Sequence, residues 1–227
     1  MLFDSRSLLA EVGRFVVLCL EVAAWVFLVA LVLWLLAGTR PSEAATIPAA
    51  AAKHRADLTR NARVVWGLDA PAATFAAQVH QESAWRPGAA SRVGAAGLAQ
   101  FMPATASWIS QRYPELASAD PYNPGWALRA LVRYDAWLFE RTDAAGLCER
   151  WAMTLSAYNG GLGWVLRDQR LAASQGLDPR TWFDAVETVN AGRSAANWRE
   201  NRAYPRRILH LLEPVYVAAG WGRGVCA

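Results

Sequence analysis

Hydrophobic residues beyond residue 52 recur every three or four positions, and no alternating run is long enough to predict a strand. This pattern predicts a mainly α-helical domain. Helices are expected over Asp57–Trp66, from about Asp69 to Glu82, over Trp126–Glu140 and from near Glu149 to Asn159. In the third of these, the expected core residues are Leu128, Leu131, Val132, Tyr134, Ala136, Trp137 and Leu138.

Residues 15–37 form an apolar run that is broken only by Glu21. The run matches the roughly 20 residues that cross a bilayer, so it predicts a transmembrane anchor. A secretory signal peptide is the alternative, because Ser42-Glu43-Ala44 has small residues in cleavage spacing. The run exceeds the roughly 7–15 apolar residues of a signal, which favours an uncleaved anchor. The expected order is a tail (1–14), the anchor (15–37), a linker (38–52) and one domain (53–227).

The charges beside the apolar run do not fix its orientation. Arg6 and Arg14 precede it, and Arg40, Lys53 and Arg55 follow it, so the N-terminal side has no cationic excess. Long domains cross the membrane largely regardless of their charge. The charge count mildly favours a cytoplasmic domain, but it does not exclude a domain outside the cytoplasm, which the motif described below indicates.

The chain has 23 Lys and Arg against 19 Asp and Glu, and residues 1–52 contribute a net charge of −1. The remainder is mildly basic, which suits an anionic polymer or a membrane surface. No dense basic run supports nucleic-acid binding. Cys19 lies in the apolar run, whereas Cys148 and Cys226 lie beyond it and could either pair in an oxidising compartment or remain free thiols.

Glu82 is the strongest candidate for chemistry. Asp69 is expected to cap its helix, Phe75 and Val79 share its face, and Pro87 predicts that the helix stops just after it. A carboxyl in the last turn of an apolar face is desolvated and faces the negative end of the helix dipole. Both effects raise its pKa, as a general acid requires. A surface glutamate on a frayed helix end is the alternative.

The residues around Glu82 carry a longer motif. Glu82-Ser83-Ala84-Trp85 is followed by a stretch that begins at Ser91 and contains Gly94-Ala95, Gly97-Leu98 and Gln100-Phe101-Met102-Pro103. This order closely resembles the catalytic motif of the soluble lytic transglycosylases, which are relatives of goose-type lysozyme. Ala99 departs from the methionine that is frequent in that family.

Three further segments resemble the same family, and the likeness covers about residues 70–212. Asp120-Pro121-Tyr122-Asn123-Pro124 resembles the turn before a long buried helix, and Ala157-Tyr158-Asn159-Gly160-Gly161 resembles the A-Y-N-x-G motif of the sugar cleft. Glu200-Asn201-Arg202-Ala203-Tyr204 resembles a third segment, with Asn201 in place of threonine and Pro205 in place of valine. For Glu200, an ion pair with Arg202 or Arg206 is at least as strong an expectation as a chemical role.

The resemblance implies a lysozyme-like catalytic domain with at most a small β-hairpin, on the periplasmic side of the membrane. Together with the anchor predicted from residues 15–37, this gives a single-pass protein of the inner membrane. It implies a lytic transglycosylase that cleaves the β-1,4 bond between N-acetylmuramic acid and N-acetylglucosamine in peptidoglycan. Glu82 would be the single acid and base, and the product would end in a 1,6-anhydro ring. The implied substrate-binding residues are Ser91, Gln100, Met102, Tyr158, Asn159 and Tyr204. No metal or cofactor is expected, since His54, His80 and His210 lack ligand spacing.

Other expectations complete the analysis. Trp85 is nominated to shield the Glu82 carboxyl from water. Asp120, Asp143 and Asp168 have no motif around them, so no second catalytic acid is expected. The alternatives are a hydrolytic goose-type lysozyme or phage endolysin, and a non-catalytic glycan-binding module. The motifs do not distinguish between three biological roles: wall remodelling, action with a secretion system, and phage lysis.

Overall fold

The computed structural model describes residues 45–226, so the tail (1–14) and the anchor (15–37) lie outside the described residues. The described part contains eight α-helices: α1 Arg55–Trp66, α2 Ala72–Ser83, α3 Pro103–Arg112, α4 Pro124–Phe139, α5 Leu147–Gly160, α6 Leu162–Ser174, α7 Ala195–Arg206 and α8 Glu213–Ala218. Short 3-10 helices lie at Ala49–His54, Pro114–Leu116 and Val186–Thr188.

The prediction of a mainly helical domain is confirmed. Between residues 45 and 226 there is no strand, and only isolated bridges join Ala96 to Ala90 and to Phe101, which agrees with the expectation of at most a small hairpin. The four predicted helices correspond to α1, α2, α4 and α5. No helix in this part of the chain is both long and apolar enough to cross a membrane.

Helix α2 runs through the middle of the core. Every residue from Ala72 to Val79 is buried, because four alanines let neighbouring helices approach closely. It packs against α1, α8 and the π-helical turn Arg207–Leu212 that joins α7 to α8. The expected cap is wrong: Pro71 occupies the N-cap position, and Asp69 is exposed, 3.3 Å from Arg223.

The segment before α1 differs from the expected linker. Residues 49–54 form a 3-10 helix, Ala51 is fully buried, and Ala45 and Ile47 pack against the core. Residues 45–52 are therefore part of the folded unit. Four consecutive alanines explain the helix, because alanine loses the least side-chain entropy in helical backbone.

Helix α4 begins as the sequence predicts, with Asn123 at the N-cap. Its side-chain oxygen accepts from the backbone N–H groups of Gly125 and Trp126, at 2.9 and 3.2 Å. The expected core is confirmed for Leu128, Leu131, Val132 and Leu138, which are fully buried. Tyr134, Ala136 and Trp137 are half-buried, and Tyr134 and Trp137 line a surface cavity.

Two long-range contacts connect distant parts of the chain. Cys148 and Cys226 form a disulfide with a Cα–Cα distance of 4.8 Å, which ties the start of α5 to the end of the chain. Gly97 has a φ of +73°, and a Cβ there would lie 1.7 Å from the Pro121 carbonyl oxygen. Only glycine lets this loop pass so close to the turn before α4.

Candidate active site

Glu82 lies in the last turn of α2, where the backbone leaves the helix abruptly. Ser83 donates its hydroxyl to the Leu98 carbonyl at 2.9 Å, which fastens the helix end to the glycine-rich loop. Ala84 and Trp85 follow with φ values of 49° and 62°, in the left-handed region that is uncommon for residues with a Cβ. Such backbone persists only where surrounding contacts hold it, and it is often found at active sites.

A cleft of about 390 Å³ opens above Glu82. It contains Glu82 and all six predicted substrate-binding residues, which come from α2, the loop before α3, α5 and α7. The residues that line it are Gln81, Glu82, Ser91, Val93, Ala95, Gln100, Phe101, Met102, Thr105, Tyr134, Tyr158, Asn159, Glu200 and Tyr204. The structure therefore brings the predicted residues together in one concave site.

The Glu82 carboxyl is desolvated on the floor of this cleft. Burial raises its pKa from 4.5 to about 8. The negative charge of Glu200 acts in the same direction, whereas a hydrogen bond from Tyr204 opposes the shift. The Tyr204 hydroxyl donates to Oε1 of Glu82. At neutral pH, Glu82 is therefore mostly protonated, and its second oxygen is left to carry the proton.

Three tyrosines surround the carboxyl and stay protonated. Burial raises the pKa of Tyr134 to about 12 and the pKa values of Tyr158 and Tyr204 well above the ordinary value. Tyr158 donates its hydroxyl to the Ala99 carbonyl at 2.7 Å, which joins the end of α5 to the glycine-rich loop. These aromatic rings supply the low-dielectric wall beside Glu82.

Trp85 does not supply that wall, and its expected shielding role is wrong. Its ring is fully buried on another side of α2, and its N–H donates to the Tyr216 hydroxyl at 2.6 Å. It packs beside Trp221, 5.4 Å between ring centroids, and is not among the cleft residues. The left-handed backbone at Ala84 and Trp85 turns the side chain away from Glu82.

The loop from Ser91 to Phe101 is shaped by its own polar side chains. Ser91 accepts from the Ala95 N–H at 2.8 Å, and Gln100 donates to the carbonyls of Ala89 and Gly97 at 3.2 and 2.9 Å. Gln100 has a φ of 47°, so its amide reaches back over the loop. The same two side chains border the cleft, and hence they both fix the loop and face the site.

Asn159 is held in place from α7. Asn201 donates to the Asn159 side-chain oxygen at 3.0 Å and to the Ser156 carbonyl at 2.9 Å. Ser156 in turn donates to the Asn201 oxygen at 2.8 Å. A Cβ on Gly160 would lie 2.7 Å from the Asn201 nitrogen, so this glycine makes room for the network.

Glu200 is exposed and faces the cleft, so the expected ion pair with Arg202 or Arg206 is wrong. Arg202 pairs instead with buried Asp168 at 2.8 Å, and Arg206 contacts Glu187. With Asn159, Glu200 also lines a polar cavity of about 350 Å³ that adjoins the catalytic cleft. The sequence does not predict this placement, because the Glu200 carboxylate is unpaired only if Arg202 and Arg206 choose other acids.

The other acids have different surroundings. Asp143 is exposed and lies 3.3 Å from Arg180. Asp120 is exposed in its turn, and neither it nor Asp143 or Asp168 lines the cleft. In residues 45–226, no group of three or more His, Cys, Asp or Glu is arranged to hold a metal ion.

Asp135 is a buried acid that sequence reasoning missed. Gln78 donates to its Oδ1 at 3.4 Å, while Oδ2 and the Gln78 oxygen have no hydrogen-bond partner. Burial raises the pKa of the Asp135 carboxyl well above its usual range, and the charge of Glu82 adds to this shift. The only signal in the sequence was an acid inside an apolar stripe of α4.

Comparison with known proteins agrees with this architecture. The model of the transglycosylase SLT domain matches residues 66–180. Membrane-bound lytic murein transglycosylase F from Pasteurella multocida is 36% identical over 116 residues, which are 51% of this chain and 22% of that protein. The Vibrio cholerae protein of the same name is 30% identical over 163 residues, or 64% of this chain and 29% of its own. The chain thus spans less than a third of these relatives.

Solved structures show the same fold. The 70 kDa soluble lytic transglycosylase of Escherichia coli superposes with a TM-score of 0.53 at 22% identity, over 75% of this chain and 25% of that one. An inactive Glu-to-Gln mutant of the lytic transglycosylase Slt from Pseudomonas aeruginosa gives 0.52 at 25% identity, over 77% and 25%. Because the family model matches about half of the chain, the chain belongs to the transglycosylase SLT domain family.

Proposed function

We propose that this chain is a peptidoglycan lytic transglycosylase in which Glu82 is the single catalytic acid and base. The observation that carries the proposal is a carboxyl with a pKa raised to about 8, held by the Tyr204 hydroxyl on the floor of a cleft. Relatives named as lytic murein transglycosylases support the substrate. The inactive Glu-to-Gln mutant of the Pseudomonas enzyme supports the dependence on a glutamate.

In the first step, Glu82 acts as an acid. Its proton passes to the glycosidic oxygen, and the bond from that oxygen to C1 of the muramic sugar breaks. The departing N-acetylglucosamine keeps the proton as its new hydroxyl. Positive charge develops at C1, where the N-acetyl group of the substrate stabilises it, so no protein nucleophile is needed.

In the second step, the Glu82 carboxylate acts as a base. It takes the proton of the muramic C6 hydroxyl while that oxygen bonds to C1 and closes the 1,6-anhydro ring. Glu82 ends protonated, as it began, and no water is consumed. The Tyr204 hydrogen bond stabilises the transient carboxylate, which would otherwise be costly in a desolvated site.

The remaining cleft residues position the strand. Ser91, Gln100 and Asn159 offer polar groups for hydroxyl and N-acetyl groups, and their own hydrogen bonds hold them in place. Met102 is 42% exposed at the edge of the cleft and offers an adaptable apolar surface. Tyr158 closes one side of the site.

We further propose that residues 15–37 anchor the chain in the inner membrane and that the domain lies in the periplasm. The relatives described above are named as membrane-bound enzymes, which supports the anchor. The disulfide between Cys148 and Cys226 suits an oxidising compartment. Fractionation tests this: the full chain should pellet with inner membranes after a high-salt wash, and a mature N-terminus at Ala45 would instead show cleavage.

Substitution of Glu82 tests the catalytic assignment. Glu82→Gln keeps the shape of the side chain but cannot transfer the proton, so wall-clearing activity should fall by about 10²–10⁴-fold. Glu140→Gln is the matched control, because Glu140 is exposed just after the end of α4 and does not line the cleft. Near-normal activity of a folded Glu82→Gln protein would overturn the assignment.

A hydrolytic lysozyme is the second candidate, and the position of Glu200 is the observation that favours it. Within residues 45–226, Glu200 is the one other carboxylate that lines the cleft, and two carboxylates are what glycoside hydrolysis usually requires. Glu200→Gln separates the candidates. A hydrolase that uses Glu200 would lose its hydrolytic activity in this variant, whereas the transglycosylase should still form 1,6-anhydro ends.

A further inference from the structure

A second cavity, about 230 Å³ in volume, lies beside the catalytic cleft between α3 and α4. It is lined by Ala104, Thr105, Trp108, Tyr134 and Trp137. Thr105 and Tyr134 also line the catalytic cleft, so the two cavities share a wall. The polar cavity beside Glu200 adjoins the cleft through Asn159 and Glu200. The catalytic cleft therefore continues into a cavity on each of two sides.

The aromatic rings of this cavity form a corner, which we call the aromatic corner (Trp108, Tyr134 and Trp137). The rings of Tyr134 and Trp137 are almost parallel, at 11°, with centroids 6.1 Å apart. Trp108 stands across both, at 67° to Tyr134 and 68° to Trp137. All three rings are half-buried, so each keeps part of its surface exposed.

Two exposed arginines stack over rings of the corner. The Arg112 guanidinium lies 5.6 Å from the centroid of Trp108, and the Arg141 guanidinium lies 4.2 Å from that of Trp137. Arg141 also pairs with Glu140 at 3.3 Å, so the net positive charge beside the rings comes from Arg112. An aromatic surface with one cationic group beside it suits a ligand that has an apolar face.

We propose that the aromatic corner is an outer saccharide subsite, which binds one pyranose ring of the same glycan strand beyond the sugars held in the catalytic cleft. This inference rests on the proposed function, which supplies the polymer. The C–H groups on one face of a pyranose ring form an apolar surface that stacks on aromatic rings, and the hydroxyls remain hydrated. Because Thr105 and Tyr134 line both cavities, one continuous glycan strand can occupy the two together.

The subsite should make affinity depend on strand length. A short oligosaccharide fills the cleft alone, and a longer one gains the stacking contact as well. One aromatic contact contributes up to about 1.5 kcal/mol, so the gain on reaching the corner should be up to about tenfold in Kd. The gain in affinity should appear when one particular sugar is added to the oligomer, because the cavity holds a single pyranose ring.

Calorimetric titration of the Glu82→Gln protein with β-1,4-linked N-acetylglucosamine oligomers of increasing length tests this. The inactive background separates binding from turnover. Trp137→Ala, made in that background, should lose the gain at the longer oligomers. Ala104→Leu is a second variant that fills the cavity from an exposed helical position and leaves the aromatic core intact. It should lose the gain as well.

Tyr122→Ala is the matched control, because Tyr122 is 52% exposed and lines neither cavity. It should keep the gain. An undiminished gain in folded Trp137→Ala and Ala104→Leu proteins would overturn the subsite, as would affinity independent of length in the parent. Because binding is measured, the two proposals can fail separately. If the wild-type protein has no lytic activity on peptidoglycan but the Glu82→Gln protein shows the gain, the proposed function is overturned and the subsite is supported.

Discussion

The Tyr204 hydroxyl donates a hydrogen bond to Oε1 of Glu82, although 122 positions separate the two residues in the chain. This bond opposes the effect of burial on the pKa of Glu82. In the proposed mechanism, the carboxyl is protonated near pH 7 and can donate its proton, and the Tyr204 bond helps it to become a carboxylate in the second step. We accordingly propose Tyr204 as a positioning residue for the acid.

Tyr204→Phe removes that bond and keeps the ring. Hydrogen bonds to charged groups contribute about 1.5–3 kcal/mol, so the turnover rate should fall by about tenfold or more. Loss of the bond should also raise the pKa of Glu82 further, and the alkaline limb of the pH–rate profile should move to higher pH. Tyr122→Phe, at an exposed tyrosine, is the control and should leave the profile unchanged. An alkaline limb that stays in place or moves to lower pH would contradict this role.

The raised pKa of Glu82 should also make the stability of the folded protein depend on pH. Its pKa is about 8 in the folded protein and 4.5 in the unfolded chain, so between these values the folded state holds a proton that the unfolded state releases. The wild-type protein therefore loses stability as pH rises through this window, whereas Glu82→Gln does not.

The melting temperature of Glu82→Gln should accordingly exceed that of the wild type increasingly from pH 4.5 to about 8. The difference should grow by about 3–5 °C per pH unit, because each unit changes the free energy of unfolding by about 1.4 kcal/mol and a domain of this size shifts by about 2–4 °C per kcal/mol. Thermal melts across this pH range measure it, with Glu140→Gln as the control that shows no such trend. A constant difference would mean that Glu82 has an ordinary pKa.

Asp135→Asn should stabilise the protein without altering its chemistry. Burial raises the pKa of Asp135 well above its usual range, so the folded state resists ionisation while the unfolded chain ionises freely above pH 3.8. Asparagine removes that penalty, and the melting temperature at neutral pH should rise. Asp143→Asn, at an exposed acid, is the control.

The activity of the same variant carries a second test. Asp135 does not line the cleft, so activity should remain within a few-fold of wild type. A folded, inactive Asp135→Asn protein would show that a second acid takes part, which the single-acid mechanism does not allow.

Local sequence patterns predicted four of the eight α-helices and the position of Glu82 in the last turn of α2. Helical spacing and proline positions act within a few residues, so they can be recognised in one stretch of chain. The family motifs also led to six further residues that the fold brings around Glu82. The Asp69 cap failed because Pro71 begins the helix instead.

Features that depend on distant partners could not be predicted in this way. Cys148 and Cys226 are 78 positions apart, and their pairing is set by the packing of the chain end on α5. Trp85 faces the core because two left-handed residues reorient the chain. Glu200 is free because Arg202 takes Asp168 as its partner. Each outcome follows from tertiary contacts that no local pattern records.

The account rests on one claim: the muramic C6 hydroxyl, and not water, is the nucleophile, with Glu82 as the only acid and base. Mass spectrometry of the products from purified glycan strands tests it most directly. The full-length protein should give strand ends that are one water lighter than hydrolytic ends, as in 1,6-anhydromuramic acid, and Glu200→Gln should give the same ends. Reducing muramic ends from the wild type, lost in a folded Glu200→Gln protein, would contradict the mechanism.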